Sequence, residues 1–182
     1  MKNIAFIVNP ISGTKSKSRL TKLIRESLDL QQYAPTVVVT EYAGHATQLA
    51  QQFALQDYYA VVAVGGDGTI NEVASGLIGS ETALGIVPNG SGNGFARHLD
   101  ISTRMNRAIE MLNSSEPIFV DYGMVNERPF FSTCGVGFDA VFKIHELQNG
   151  FIHRTGQGEL KHRVVPILHV CEILVRKHFE YS

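Results

Sequence analysis

Short apolar runs rich in β-branched residues recur along this 182-residue chain, each followed by a stretch in which apolar positions return every three or four residues. The runs near 3–8, 35–40, 59–64 and 84–87 read as strands, and the stretches near 18–31, 45–56, 69–78 and 103–113 as amphipathic helices. Regular alternation of the two predicts a parallel sheet covered by helices. The pattern breaks at Asn113-Ser114-Ser115-Glu116-Pro117, a turn-rich segment. Beyond it, Ile118 to Val125 and Pro129 to Val136 read as a hairpin around Asn126-Glu127-Arg128. A boundary is therefore expected at 116, with one domain over 1–116 and a second, β-rich one with a helical excursion over 117–182. Within the latter, Leu160, Val164, Ile167, Leu168, Cys171 and Leu174 follow helical spacing, so a helix that Pro166 kinks or starts is expected. Left uncovered, that stripe would favour association, a homodimer included.

The ends of the strands carry the chemistry. Val61 to Val64 runs into Gly65-Gly66-Asp67-Gly68-Thr69, after which a helix is expected from Thr69 to Leu77. Glycines let an anion approach bare backbone, and the free N–H groups of a following helix attract it. Asp67 in such a loop either assists phosphoryl transfer, through a cation or a mobile proton, or shapes the turn by accepting nearby N–H groups. A second loop, Pro88-Asn89-Gly90-Ser91-Gly92-Asn93-Gly94, follows the strand at 84–87, and a third, Asn9-Pro10-Ile11-Ser12-Gly13, follows the first strand. Loops at the carboxyl ends of neighbouring parallel strands converge on one crevice. Neither G-x-G-x-x-G nor G-x-x-x-x-G-K-[ST] occurs at these loops, which removes the ordinary dinucleotide and P-loop readings.

Composition narrows the partners. A net charge of −1 argues against general nucleic-acid binding. Lys15, Lys17, Arg19, Lys22 and Arg25 nonetheless cluster, while no Lys or Arg occurs from Glu26 to Ala96. The cluster is either an anion- or membrane-facing patch or the solvated face of a helix that buries Leu20, Leu23, Ile24 and Leu28. Cys134 and Cys171 show no C-x-x-C spacing, the histidines after Lys143 form no compact ligand pattern, and Val164 to Val175 is too short and too interrupted to span a bilayer.

Taken together, Asn9-Pro10-x-Ser12-Gly13, Gly65-Gly66-Asp67-Gly68-Thr69 with Asn71-Glu72, and Pro88-x-Gly90-Ser91-Gly92-Asn93 resemble the catalytic domain of the diacylglycerol kinases. Sphingosine and ceramide kinases and stand-alone bacterial lipid kinases belong to the same superfamily. The resemblance runs from the first strand to about Asp139. It implies an α/β fold: an N-terminal three-layer, parallel-sheet domain of the NAD-kinase and phosphofructokinase type, then the start of an antiparallel β-sandwich. That sandwich is expected to be incomplete, because Glu180-Tyr181-Ser182 falls where further strands would follow.

The implied activity is transfer of the γ-phosphoryl group of ATP, with Mg²⁺, to a lipid hydroxyl such as that of diacylglycerol. By the resemblance, Asn9, Ser12, Gly13, Thr40, Gly65, Gly66, Gly68, Thr69, Glu72, Gly90, Ser91, Gly92 and Asn93 contact the nucleotide. Asp67 is the candidate base or magnesium-associated group, and Asp139 lies near the lipid headgroup. Glu72 reads equally as a first-turn acid favouring the helix dipole, and Asp139 as a helix cap. No metal ligand is assigned. Where members of the family often carry Asp after the loop Asn, this chain has Gly94. The expected setting is cytoplasmic, with peripheral contact at the inner membrane face and a lipid surface as partner. Two alternatives stay open: a nucleotide-binding piece without catalysis, and a soluble kinase of the NAD-kinase kind, which shares the Gly-Gly-Asp-Gly-Thr loop.

Overall fold

The computed structural model describes residues 1–10, 17–125, 128–131 and 164–169. Strands β1 (Lys2–Val8), β2 (Tyr33–Val39), β3 (Ala60–Gly65) and β4 (Ala83–Pro88) alternate with helices α1 (Lys17–Ser27), α2 (His45–Leu55) and α3 (Asp67–Leu77). A short helix α4 (Gly94–His98) and α5 (Met105–Leu112) follow. β1 pairs in parallel with β2 and β3, and β3 in parallel with β4. Every residue of β3 and β4 is buried, which is why both read as unbroken apolar runs rather than alternating ones. α2 packs on α3 and α1 on α5, so helices cover the two faces of the sheet.

Particular side chains set these contacts. A Cβ on Gly76 of α3 would lie 2.5 Å from the Thr47 carbonyl of α2, so the two helices meet backbone to backbone there. On the other face, Asn113 donates its amide to the Ser27 carbonyl at 2.9 Å and accepts the Asp29 N–H at 2.8 Å. That amide stitches the end of α1 to the end of α5. α1 therefore stops at Ser27 rather than continuing to 31. Its Leu20, Ile24 and Leu28 side are buried, while Arg19, Lys22 and Arg25 are exposed.

The later strands depart from expectation. Instead of one strand over 118–125, β5 (Glu116–Asp121) and β6 (Gly123–Val125) form separately, the latter in a hairpin with β7 (Arg128–Phe130). β5 pairs antiparallel with β8 (Val164–His169), and the sheet order is β2-β1-β3-β4-β8-β5. The expected helix around Pro166 is thus a strand between Val164 and His169. Apolar spacing over so short a run does not separate the two states, whereas β-branched Val164, Val165 and Ile167 around a residue that donates no N–H favour extension. β8 meets β4 through one register pair, Leu84 with Ile167, while Pro166 stands opposite Phe119 of β5. The remainder of the expected helix, Cys134, Cys171 and the segment around Asp139 lie outside the described residues.

Candidate active site

The carboxyl ends of β1 to β4 bring the predicted loops together. Asn9, just past β1, donates its side-chain amide to the Thr69 hydroxyl at 3.2 Å, fastening the end of β1 to the first turn of α3. Thr40, just past β2, donates its N–H to the Val8 carbonyl at 2.9 Å. The Asn89 N–H reaches the Gly65 carbonyl at 2.8 Å and carries the β3–β4 ladder into the loops. Ser12, Gly13 and Asp139 lie outside the described residues.

α3 begins at Asp67, two residues before the expected start, with Gly66 as its N-cap. Its first helical bond runs from Ile70 N–H to the Gly66 carbonyl at 3.1 Å. The N–H groups of Asp67, Gly68 and Thr69 consequently have no intrahelical partner, and the positive end of the helix dipole lies at the first loop. Gly68 is exposed, and a Cβ there would meet nothing within 4 Å. That open space over bare N–H groups suits an anion.

The second loop closes against the first without side chains between them. A Cβ on Gly90 would stand 2.6 Å from the Gly66 Cα, a distance no side chain tolerates. Asn93 holds the loop's shape: its amide donates to the Gly90 carbonyl at 2.8 Å and accepts the Gly90 N–H at 2.9 Å. It is 6% exposed and adopts φ 53, in the left-handed region where Asn is tolerated best after Gly.

Asp67 reaches across to the helix behind the second loop. Its Oδ2 accepts the Gly94 N–H and its Oδ1 the Phe95 N–H, each at 3.1 Å, so the carboxylate ties the first turn of α3 to the start of α4. It therefore accepts backbone N–H groups, as the turn-shaping alternative required, but from the other loop's helix rather than from its own turn. Gly94 was noted from sequence only as a departure from the family's Asp, and neither it nor Phe95 was read as a partner of Asp67. Glu72 sits one turn along α3, half-buried, and its carbonyl accepts the Thr47 hydroxyl at 2.9 Å. Beside the second loop an open cleft of about 600 Å³ is bordered also by Thr103 and Met105, which sequence reading passed over.

Among the described residues, no cluster of three or more His, Cys, Asp or Glu side chains forms a metal site. A magnesium ion carried by nucleotide phosphates needs only one or two protein carboxylates, and Asp67 keeps lone-pair capacity beyond its two bonds. The residues present fit that arrangement and not a closed protein cage.

A helix-covered, mostly parallel sheet with two glycine loops touching at its carboxyl edge, and one carboxylate spanning them, defines an α/β protein. Residues 3–125 match the family model of the diacylglycerol kinase catalytic domain, and the chain belongs to that family. It is 34% identical over 142 residues to a diacylglycerol kinase of Bacillus subtilis, covering 75% of this chain and 46% of the relative. To a diacylglycerol kinase of Staphylococcus saprophyticus it is 33% identical over 138 residues, covering 75% and 45%. The crystal structure of a diacylglycerol kinase from Bacillus anthracis shares the fold, with a TM-score of 0.59 at 24% identity over 72% of this chain and 48% of that one. The chain thus spans about half the length of these relatives. Of the two families the sequence suggested, the matched model is that of the diacylglycerol kinases.

Proposed function

We propose that the site transfers the γ-phosphoryl group of ATP to the hydroxyl of a lipid such as diacylglycerol. The observation that carries this reading is the Asp67 carboxylate standing between two touching glycine loops at the exposed N-terminus of α3. Gly65, Gly66, Gly68 and Thr69 would hold the phosphates through N–H groups and a hydroxyl, Asn9 and Thr40 would border the rest of the nucleotide, and the loop from Gly90 to Asn93 would form the opposite wall. Ser12, Gly13 and Glu72 join the nucleotide side, and Asp139 the lipid side, on family position alone. In the transfer, the acceptor oxygen bonds to the γ phosphorus as the bond from that phosphorus to the bridging oxygen breaks. ADP leaves with the electron pair and the hydroxyl proton passes to a base.

Asp67 is the candidate either for that base, a role worth about 10²- to 10⁴-fold in rate, or for a magnesium-associated group. Magnesium, when bound, would offset charge on the phosphate oxygens. The acceptor resides in a bilayer, so the protein would work at a membrane surface, on the cytoplasmic side where ATP is supplied. Among the described residues no helix is long and apolar enough to cross a membrane.

The test is transfer of labelled phosphate from Mg·ATP to diacylglycerol, sphingosine, ceramide and phosphatidylglycerol in mixed micelles, with NAD as a soluble acceptor. Labelled diacylglycerol is the expected product. Nucleotide binding without any product would leave this chain a nucleotide-binding piece.

A further inference from the structure

The cleft beside the second loop has two walls: Pro88 to Ser91 with Asn93 on one side, and Thr103 with Met105, at the entry to α5, on the other. No residue of the first loop borders it. The reason is the Gly66–Gly90 contact, which leaves no room for ligand atoms between the loops at that point. Gly90 is thus a shared wall, with the phosphate-facing N-terminus of α3 in one compartment and the cleft in another.

The cleft's chemistry differs from that of the phosphate compartment. Its volume of about 600 Å³ lies within the roughly 300–1,000 Å³ common for small-molecule sites. Among the described residues none that lines it is charged: Ser91 and Thr103 offer hydroxyls, Pro88 and Met105 apolar surface. A phosphate would find no cation among these described residues, whereas an uncharged alcohol attached to hydrocarbon would find both of its halves matched. The cleft also lies beside the reacting centre. Asn93 borders it, and a Cβ on the preceding Gly92 would stand 3.3 Å from Asp67 Oδ2.

We propose that this cleft receives the uncharged, hydroxyl-bearing headgroup of the acceptor, with Thr103 and Met105 as acceptor-binding residues. The assignment rests on the phosphoryl-transfer reading and adds a division of labour to it: nucleotide on the α3 side of Gly90, alcohol on the α5 side. It implies preference for a neutral acceptor over an anionic phospholipid.

Isotope-labelled methionine methyl groups provide the test, since Met105 is the one methionine on the cleft wall and the chain has four. Dihexanoylglycerol, a soluble neutral acceptor, is titrated into the 182-residue chain with and without Mg·ATP, and nucleotide binding is followed separately by calorimetry. A saturable shift of the Met105 methyl with dihexanoylglycerol is expected. Thr103→Phe, at an exposed position, should weaken that binding by about 10-fold or more while leaving ATP affinity unchanged. Thr103→Val, which removes only the hydroxyl, should weaken it less. If ATP binds but dihexanoylglycerol leaves Met105 unmoved, or if Thr103→Phe weakens both ligands alike, the cleft assignment is overturned and the kinase reading stands. If ATP does not bind at all, the kinase reading fails and takes the cleft assignment with it.

Discussion

Oδ1 of Asp67 accepts the backbone N–H of Phe95 at 3.1 Å, which makes a residue of the first glycine loop an anchor for the helix after the second. Because Oδ2 holds Gly94 in the same way, Asp67→Asn replaces one of two acceptors with an N–H donor facing another donor. The substitution should remove phosphoryl transfer and also cost about 1.5–3 kcal/mol of stability. Denaturant unfolding beside a transfer assay separates the effects; full turnover in the Asn variant would eliminate Asp67 as the base.

Gly90 and Gly68 make a matched pair. An alanine at 90 drives its methyl into the Gly66 backbone, so the loops must part, at about 1–3 kcal/mol, with loss of nucleotide affinity. At 68 the methyl meets open space, so Gly68→Ala should fold normally and weaken only binding of the phosphates that the space accommodates. Normal ATP affinity in Gly68→Ala would show that phosphates do not occupy the exposed start of α3.

Asn93 holds its own loop, since both halves of its amide bond Gly90. Asn93→Ala should lose roughly 2–4 kcal/mol, because two partly buried bonds vanish while the left-handed backbone remains. Asn93→Gly should recover about 1 kcal/mol by relaxing that backbone, without restoring the bonds. Equal unfolding midpoints for the two variants would contradict the account.

Tyr33 gives the fold an alkaline limit. Its ring is buried and its hydroxyl donates to the Leu112 carbonyl at 3.1 Å. Burial, with smaller contributions from Tyr59 and Asp29, raises its pKa above the ordinary tyrosine value. A group raised in the folded state contributes stability in full below its unfolded pKa, and that contribution is lost as pH climbs through the folded value. Stability should therefore fall above about pH 10. Tyr33→Phe should cost about 1 kcal/mol at neutral pH and flatten that alkaline fall. An unchanged alkaline limb would place its origin elsewhere.

The architecture was legible where burial is two-sided. The unbroken apolar runs of β3 and β4 and the stripe of α1 translate directly into sheet and helix. The start of α3 was less legible because Asp-Gly reads as loop, although a glycine in a first turn gives up no helical N–H bond. β8 was misread because Val164, Ile167 and Leu168 suit a helix face and a buried strand equally. At the site, residue types and loops were visible, whereas the Gly66–Gly90 contact and the reach of Asp67 to Gly94 and Phe95 depend on how distant segments align. No local pattern encodes that alignment.

The strand order also ranks the parts of the molecule by when they can form. β4 has its inner neighbour, β3, as soon as residue 88 is made, but its outer neighbour, β8, comes from residues 164–169. During vectorial synthesis, at about 5–20 residues per second, the loops of the site can assemble seconds before the sheet beside them is finished. Through that interval the apolar β4 presents an unpaired edge of the kind that recruits foreign strands. The nascent chain is then most exposed to misassembly while those loops are already in place, and a ligand bound there early would favour the productive route by mass action.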